Sequence, residues 1–252
     1  MTDVEERRAA RGVAGGRPPT DPDVGVFGHF NGAGESPVGI TSVIRAYESW
    51  LVRAYCIARF RIIRGRFLEE IGQFLPREGR VLEVGCGFGL FSLYYAVRFP
   101  RLEVDAFDLD EHRIDMARVA ARNLAVRNAR FSVADARDLD VDQVYDGIYL
   151  LDLVHHIPPD AARSLLALLV DRLAPGGALV VKDVDTRPRL KMAFTWLLDV
   201  AMTKGERPDY WSHQELTAYL EDLGLDVFRH TMTDSLPYPH LLYVAIKPPA
   251  EP

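Results

Sequence analysis

From Arg80 onward the chain alternates short apolar runs with stretches whose apolar residues recur every three or four positions. The runs predict strands at Val81–Gly85, Leu102–Asp108, Ala129–Val133, Gly147–Leu151, Gly177–Val184, Leu225–Thr231 and Leu241–Lys247. The stretches between most of them predict helices at Leu90–Arg98, Glu111–Val126, Asp160–Leu173 and His213–Leu223. Strand and helix alternating at this spacing build βαβ units, and so a parallel sheet with helices on both faces. The last two runs flank a short Pro-rich turn at Ser235–His240 that leaves no room for a helix, so they should pair antiparallel.

Ahead of this alternation, Ile40–Phe74 contains no proline and repeats apolar positions at Ile44, Tyr47, Leu51, Tyr55, Ala58 and Ile62. That spacing predicts one amphipathic helix, broken near Gly65. Residues 40–75 therefore read as an N-terminal helical lid on a domain spanning 76–252. Residues 1–39 hold eight of the 19 glycines, four prolines and few large apolar side chains. Such a segment buries too little surface to offset its chain entropy and is expected to be a disordered leader. A further helical stretch, Arg189–Thr203, lies in an insertion (186–213) after the fifth strand. Ser212, followed three residues on by Glu215, has the form of a capping box at the start of the last helix.

Composition narrows the class. A net charge of −6, with 48% hydrophobic and 26% charged residues, is ordinary for a globular enzyme and argues against nucleic acid as a partner. The two cysteines, Cys56 and Cys86, have no disulfide or metal spacing and suit a reducing cytoplasm. No apolar run approaches the ~20 residues of a membrane span. The first residues are charged where a signal peptide needs its apolar core. The expected localisation is cytoplasmic.

The first strand runs into Glu83-Val-Gly85-Cys86-Gly87-Phe-Gly89 and then opens a helix. Glycines at such a bend let a ligand approach the backbone. A dinucleotide site would need G-x-G-x-x-G, but here the third glycine comes one place early and position 90 is Leu. Glu83, two residues before the first glycine, suits a cationic ligand better than a diphosphate. Asp108, 23 residues beyond Gly85, ends the second strand where a carboxylate can accept ribose hydroxyls. Asp135-Ala136 follows the third strand and places another carboxylate within reach of an adenine amino group.

These segments resemble motif I and the two following acids of class I S-adenosylmethionine-dependent methyltransferases. The resemblance covers roughly residues 75–247, including the Leu173-Ala-Pro-Gly-Gly177 turn. It implies an α/β Rossmann-like seven-stranded sheet in the order 3-2-1-4-5-7-6, with the seventh strand antiparallel. It also implies S-adenosylmethionine as cofactor, with Gly85, Gly87 and Gly89 under its methionine and ribose portions and Leu109 against the adenine face. Glu83, Cys86, Ala136 and Asp152 complete the expected cofactor set. A non-catalytic binding protein of this fold is the rival from another class, but its motif I would be eroded, and this one is intact.

Candidate chemistry lies at the fourth and fifth strand ends, Asp152-Leu-Val-His155-His156-Ile157 and Lys182-Asp183. Methyl transfer is an in-line displacement, and a hydroxyl acceptor also needs a base, a role that suits histidine near neutral pH. The stretch is similar to the H-D-W region of small-molecule O-methyltransferases, which puts His155 on the base and Asp183 on the acid orienting it. His156 and Ile157 replace the Asp and Trp of that pattern, so His155 as a mere pocket-shaping residue, or His156 as the working one, stays open. Asp152 and Asp183 are also spaced like the acids of metal-dependent enzymes. Val184 stands where those have Asn, and no metal is expected.

The acceptor is expected to be a small molecule. Its pocket is assigned to Tyr210, Trp211 and His213 after the insertion and to Tyr47 and Trp50 on the lid, with packing of the insertion as the alternative role for Trp211. Between positions 45 and 66 the lid carries six arginines against Glu48 alone. Basic and aromatic residues interleaved on a helix can lie on an anionic membrane. The favoured account is a lid whose arginines reach water over an apolar body. N- or C-methylation of a lipid or quinone-like acceptor is the alternative within the fold.

Overall fold

The computed structural model describes residues 38–62, 65–139, 141–184, 211–231 and 240–250. Its strands are β1 (Glu78–Val84), β2 (Arg101–Asp108), β3 (Ala129–Val133), β4 (Tyr145–Leu151), β5 (Leu173–Val184), β6 (Asp226–Thr231) and β7 (His240–Ile246). They form one sheet in the order β3-β2-β1-β4-β5-β7-β6. β1 through β5 pair in parallel, whereas β7 runs antiparallel to both β5 and β6. The expected topology holds, and its direction of winding reverses between β1 and β4. In an open parallel sheet a ligand binds beyond the strand ends at such a point.

Helices cover both faces. α1 (Val38–Ala46), α2 (Trp50–Ile62), α3 (Gly65–Gly72), α4 (Leu90–Arg98) and α5 (Glu111–Asn123) share one core with the sheet; α6 (Pro159–Asp171) and α7 (His213–Asp222) share the other. Every residue of α4 from Leu90 to Ala96 is buried, which matches a run that is apolar but for Ser92. Pro159 opens α6, where its missing N–H costs no helical bond. Ser212 and Glu215 form the expected capping box on α7.

The lid differs from the single helix that its periodicity predicts. The chain breaks after Ala46, and a new helix starts at Trp50. The break is held from both sides: the Arg53 guanidinium donates to the carbonyls of Tyr47 and Arg45, and Ser49 Oγ accepts from Val52 N. α2 ends at Ile62 and α3 begins at Gly65, with residues 63 and 64 outside the described residues. Asn123 Nδ2 ties α1 to the domain by donating to Ala46 O at 2.8 Å. The Arg189–Thr203 helix and residues 1–37 of the leader lie outside the described residues.

Candidate active site

β1 ends at Val84 and the glycine loop follows. Gly85 N and Cys86 N both donate to Phe107 O at 2.9 Å, which pins the loop to β2. Gly87 N donates to Asp108 Oδ2 at 2.8 Å, while the other oxygen, Oδ1, accepts from Asp110 N at 3.0 Å. Gly87 adopts φ +55, and a Cβ there would meet nothing within 4 Å, so an open cradle lies over this turn. Gly89 lacks a Cβ for packing reasons: at φ +72, one would sit 2.5 Å from the Phe131 ring. Open backbone at Gly87, the Asp108 carboxylate beside it and Leu109, 63% exposed, together fit a nucleoside-bearing ligand such as S-adenosylmethionine.

Glu83 lies behind the loop, buried, and its carboxylate accepts from the hydroxyls of Ser92 and Tyr149. Burial pushes its pKa up from 4.5 to about 7 against those two bonds. Asp135 caps the turn that begins at Ala136 and faces Arg137, whose backbone N–H and guanidinium both donate to it. Those bonds lower its pKa. The pair is solvent-exposed and so contributes little, which leaves the carboxylate exchangeable.

At the ends of β4 and β5, beside β1, side chains do the joining. His155, in a short 3₁₀ turn after β4, is 2% exposed and directs Nδ1 onto Asp183 Oδ1 at the end of β5. His156, exposed, tilts its ring against that of His155 at 4.0 Å between centroids. Asp152 N donates to Lys182 O at 2.9 Å, continuing the β4–β5 ladder. Asp152 itself adopts φ +56, uncommon for a residue with a side chain. Its carboxylate accepts from Lys182 Nζ and, at 2.7 Å, from Arg59 of α2. Lys182 is 1% exposed, and burial lowers its pKa, with Asp152 opposing.

The lid closes over this end of the sheet. Tyr47 OH donates to Phe88 O at 2.7 Å, the Tyr55 ring meets Phe88 at 5.2 Å, and Arg59 reaches Asp152. The structure therefore separates the two lid residues assigned to the acceptor. Tyr47 is buried against the glycine loop, and Trp50 stands 73% exposed on the outer face of α2. Trp211 is buried between α6 and α7, with the Arg163 guanidinium 4.7 Å from its ring and Tyr219 beside it. His213, half-buried, opens α7. Tyr210 lies outside the described residues.

Sequence reasoning missed Arg59 and Lys182. Lys182 did leave a signal, as a cation directly after the apolar Gly177–Val181 run of a central strand, where a buried ammonium demands a partner. Arg59 left none that separates it from its neighbouring arginines.

A family model described as a methyltransferase domain matches residues 53–230. The chain is 28% identical over 161 residues to the ubiquinone biosynthesis O-methyltransferase of Xanthomonas axonopodis pv. citri, a match covering 60% of this chain and 64% of that one. It is 33% identical over 129 residues to the trans-aconitate 2-methyltransferase of Methylobacterium radiotolerans, covering 50% and 47%. Less than two thirds of either relative's length is spanned. Among solved structures, a methyltransferase from Methanosarcina mazei superposes with a TM-score of 0.58 at 22% identity, over 72% of this chain and 98% of that one. With the family model spanning most of the domain and the glycine loop in place, the chain belongs to the class I S-adenosylmethionine-dependent methyltransferases.

Proposed function

We propose that this chain methylates a small-molecule acceptor at a hydroxyl oxygen, with His155 as the base and Asp183 as the residue that positions it. The observation that carries this is the buried His155 Nδ1–Asp183 Oδ1 pair, at the ends of β4 and β5 and one strand from the glycine loop. A carboxylate on Nδ1 fixes the ring proton there and leaves Nε2 to accept. It also stabilises the imidazolium once Nε2 has taken the acceptor proton. The two relatives, a ubiquinone biosynthesis O-methyltransferase and a trans-aconitate 2-methyltransferase, support the small-molecule acceptor class.

S-adenosylmethionine, when bound, supplies an electrophilic methyl group on a sulfonium. Gly85, Cys86, Gly87 and Gly89 would cradle its methionine and ribose portions, and Asp108 would take the ribose hydroxyls. Leu109 would lie on the adenine, with Asp135 and Ala136 at its edge. Asp152 would face the ammonium group. Glu83 supports the loop from behind through Ser92 and Tyr149.

The burial of His155 supports a second reading, in which the pair shapes the pocket and the acceptor atom needs no base. The two separate in one experiment. Hydroxyl, carboxylate and amine acceptors are offered to the wild type and to His155→Ala, with S-adenosylhomocysteine release as readout. Turnover of hydroxyl acceptors, lost in the variant, supports the base. Turnover confined to carboxylates or amines, and kept in the variant, overturns it.

A further inference from the structure

α2 is apolar on two sides. Its inner side, Val52, Cys56 and Phe60, is buried in the domain. Its outer side presents Trp50, Leu51, Tyr55 and Ile57 to solvent, with Leu51 60% and Ile57 43% exposed. Positions 50, 54, 57 and 58 fall on one helical face, and 51 and 55 flank it, so Ala54 and Ala58, also exposed, complete a continuous apolar strip. Isolated exposed apolar residues need no explanation, but a strip along more than two turns of one helix marks a surface that meets something. Between Trp50 and Ala58 this face carries no charge, and Arg61, four positions beyond Ile57, marks where the apolar strip ends.

The charge around it says what it meets. Residues 45–66 hold six arginines and one glutamate, a local +5 in a chain whose net charge is −6. Of these, Arg45 and Arg53 are exposed beside the strip, whereas Arg59 turns inward to Asp152. A tryptophan-bearing apolar strip flanked by arginines, on an otherwise acidic molecule, is complementary to an anionic bilayer surface. Among the described residues no helix is long and apolar enough to cross a membrane, so the contact is interfacial. We infer that α2 docks this protein on anionic lipid, with Trp50, Leu51 and Ile57 seated at the headgroup boundary. The docked helix also meets Phe88 of the glycine loop through Tyr55 and reaches Asp152 through Arg59, so the bilayer would lie against the lid. This is independent of which atom is methylated.

The test is co-sedimentation of the full chain with vesicles of phosphatidylcholine alone and of phosphatidylcholine mixed with phosphatidylglycerol. The anionic vesicles should bind roughly tenfold more tightly, and added salt should erase the difference. Replacing Leu51 and Ile57 together (Leu51→Ser, Ile57→Ser) should lower binding by about tenfold or more by removing apolar area. Calorimetry with S-adenosylhomocysteine should find the same affinity in that variant, showing that it is folded. Equal binding to both vesicle types, or unchanged binding by the double variant, overturns the inference. So does a dimer at sedimentation equilibrium that the double variant dissociates, because a second copy would then cover the strip.

Discussion

At the carboxyl ends of β1 and β2 the site is made of backbone: amides of Gly85, Cys86 and Gly87 reach Phe107 O and the Asp108 carboxylate across one strand pair. At β4 and β5 it is made of side chains: His155 with Asp183, and Asp152 with Lys182 and Arg59. The first arrangement suits a cofactor of fixed shape, since backbone hydrogen bonds keep the same geometry whatever side chains surround them. The second suits chemistry that differs between enzymes, because each pair can be altered by one substitution. The fold supplies a constant half and an adjustable half of one crevice.

If that division holds, substitutions in the two halves should fail differently. The largest effect should come from the adjustable half. His155→Ala is expected to lower turnover of a hydroxyl acceptor by roughly 10²–10⁴-fold while S-adenosylhomocysteine binding, measured by calorimetry, barely changes. A parallel loss of cofactor affinity would erase the distinction between the halves.

Next comes a pH effect seated behind the constant half. Burial raises Glu83 to about 7, so between pH 4.5 and about 7 the folded chain holds a proton that the unfolded chain has released. Stability must therefore fall as pH rises through that window, by at most about 3 kcal/mol from this group. Urea unfolding at either end of the window should show the fall in the wild type, and Glu83→Gln should flatten it.

Asp108→Ala should weaken S-adenosylhomocysteine binding by about 1.5–3 kcal/mol, since it removes a charged acceptor from the ligand and the anchor of Gly87 N. Titration calorimetry gives the figure directly. The smallest effect should follow Arg59→Met. The Arg59–Asp152 pair is only partly buried, so its loss should lower the thermal unfolding free energy by about 1 kcal/mol. A much larger drop would mean that the lid depends on that contact for its position.

The same division explains what could be read from the chain. The glycine loop and Asp108 were legible because they rest on short spacings, Gly85 to Gly89 within one turn and Asp108 at the next strand's end, whereas the strand order followed from the family resemblance. The His155–Asp183 pairing was legible only through a family pattern, since 28 residues separate the partners. Arg59 meets Asp152 across 93 residues of sequence, and nothing in an arginine-rich helix says which arginine turns inward. The lid was misread as one helix because its apolar period runs on through residues 47–49, while the break is held by side-chain bonds from Arg53 and Ser49. Periodicity records which face is buried. It does not record where a side chain captures a carbonyl.

The placing of β7 between β5 and β6 has a consequence for how the chain is made. During synthesis β6 emerges before β7, but its only partner in the sheet is β7. β5 likewise keeps an open edge, rich in valine and leucine, until residue 246 has left the ribosome. An open apolar edge is a template for pairing with other chains. The newborn protein therefore passes through an interval with β6 unpaired and one edge of β5 open, ended when β7 slides in between them. Slow translation of residues 232–246 would lengthen that exposure, and chaperone demand should concentrate there.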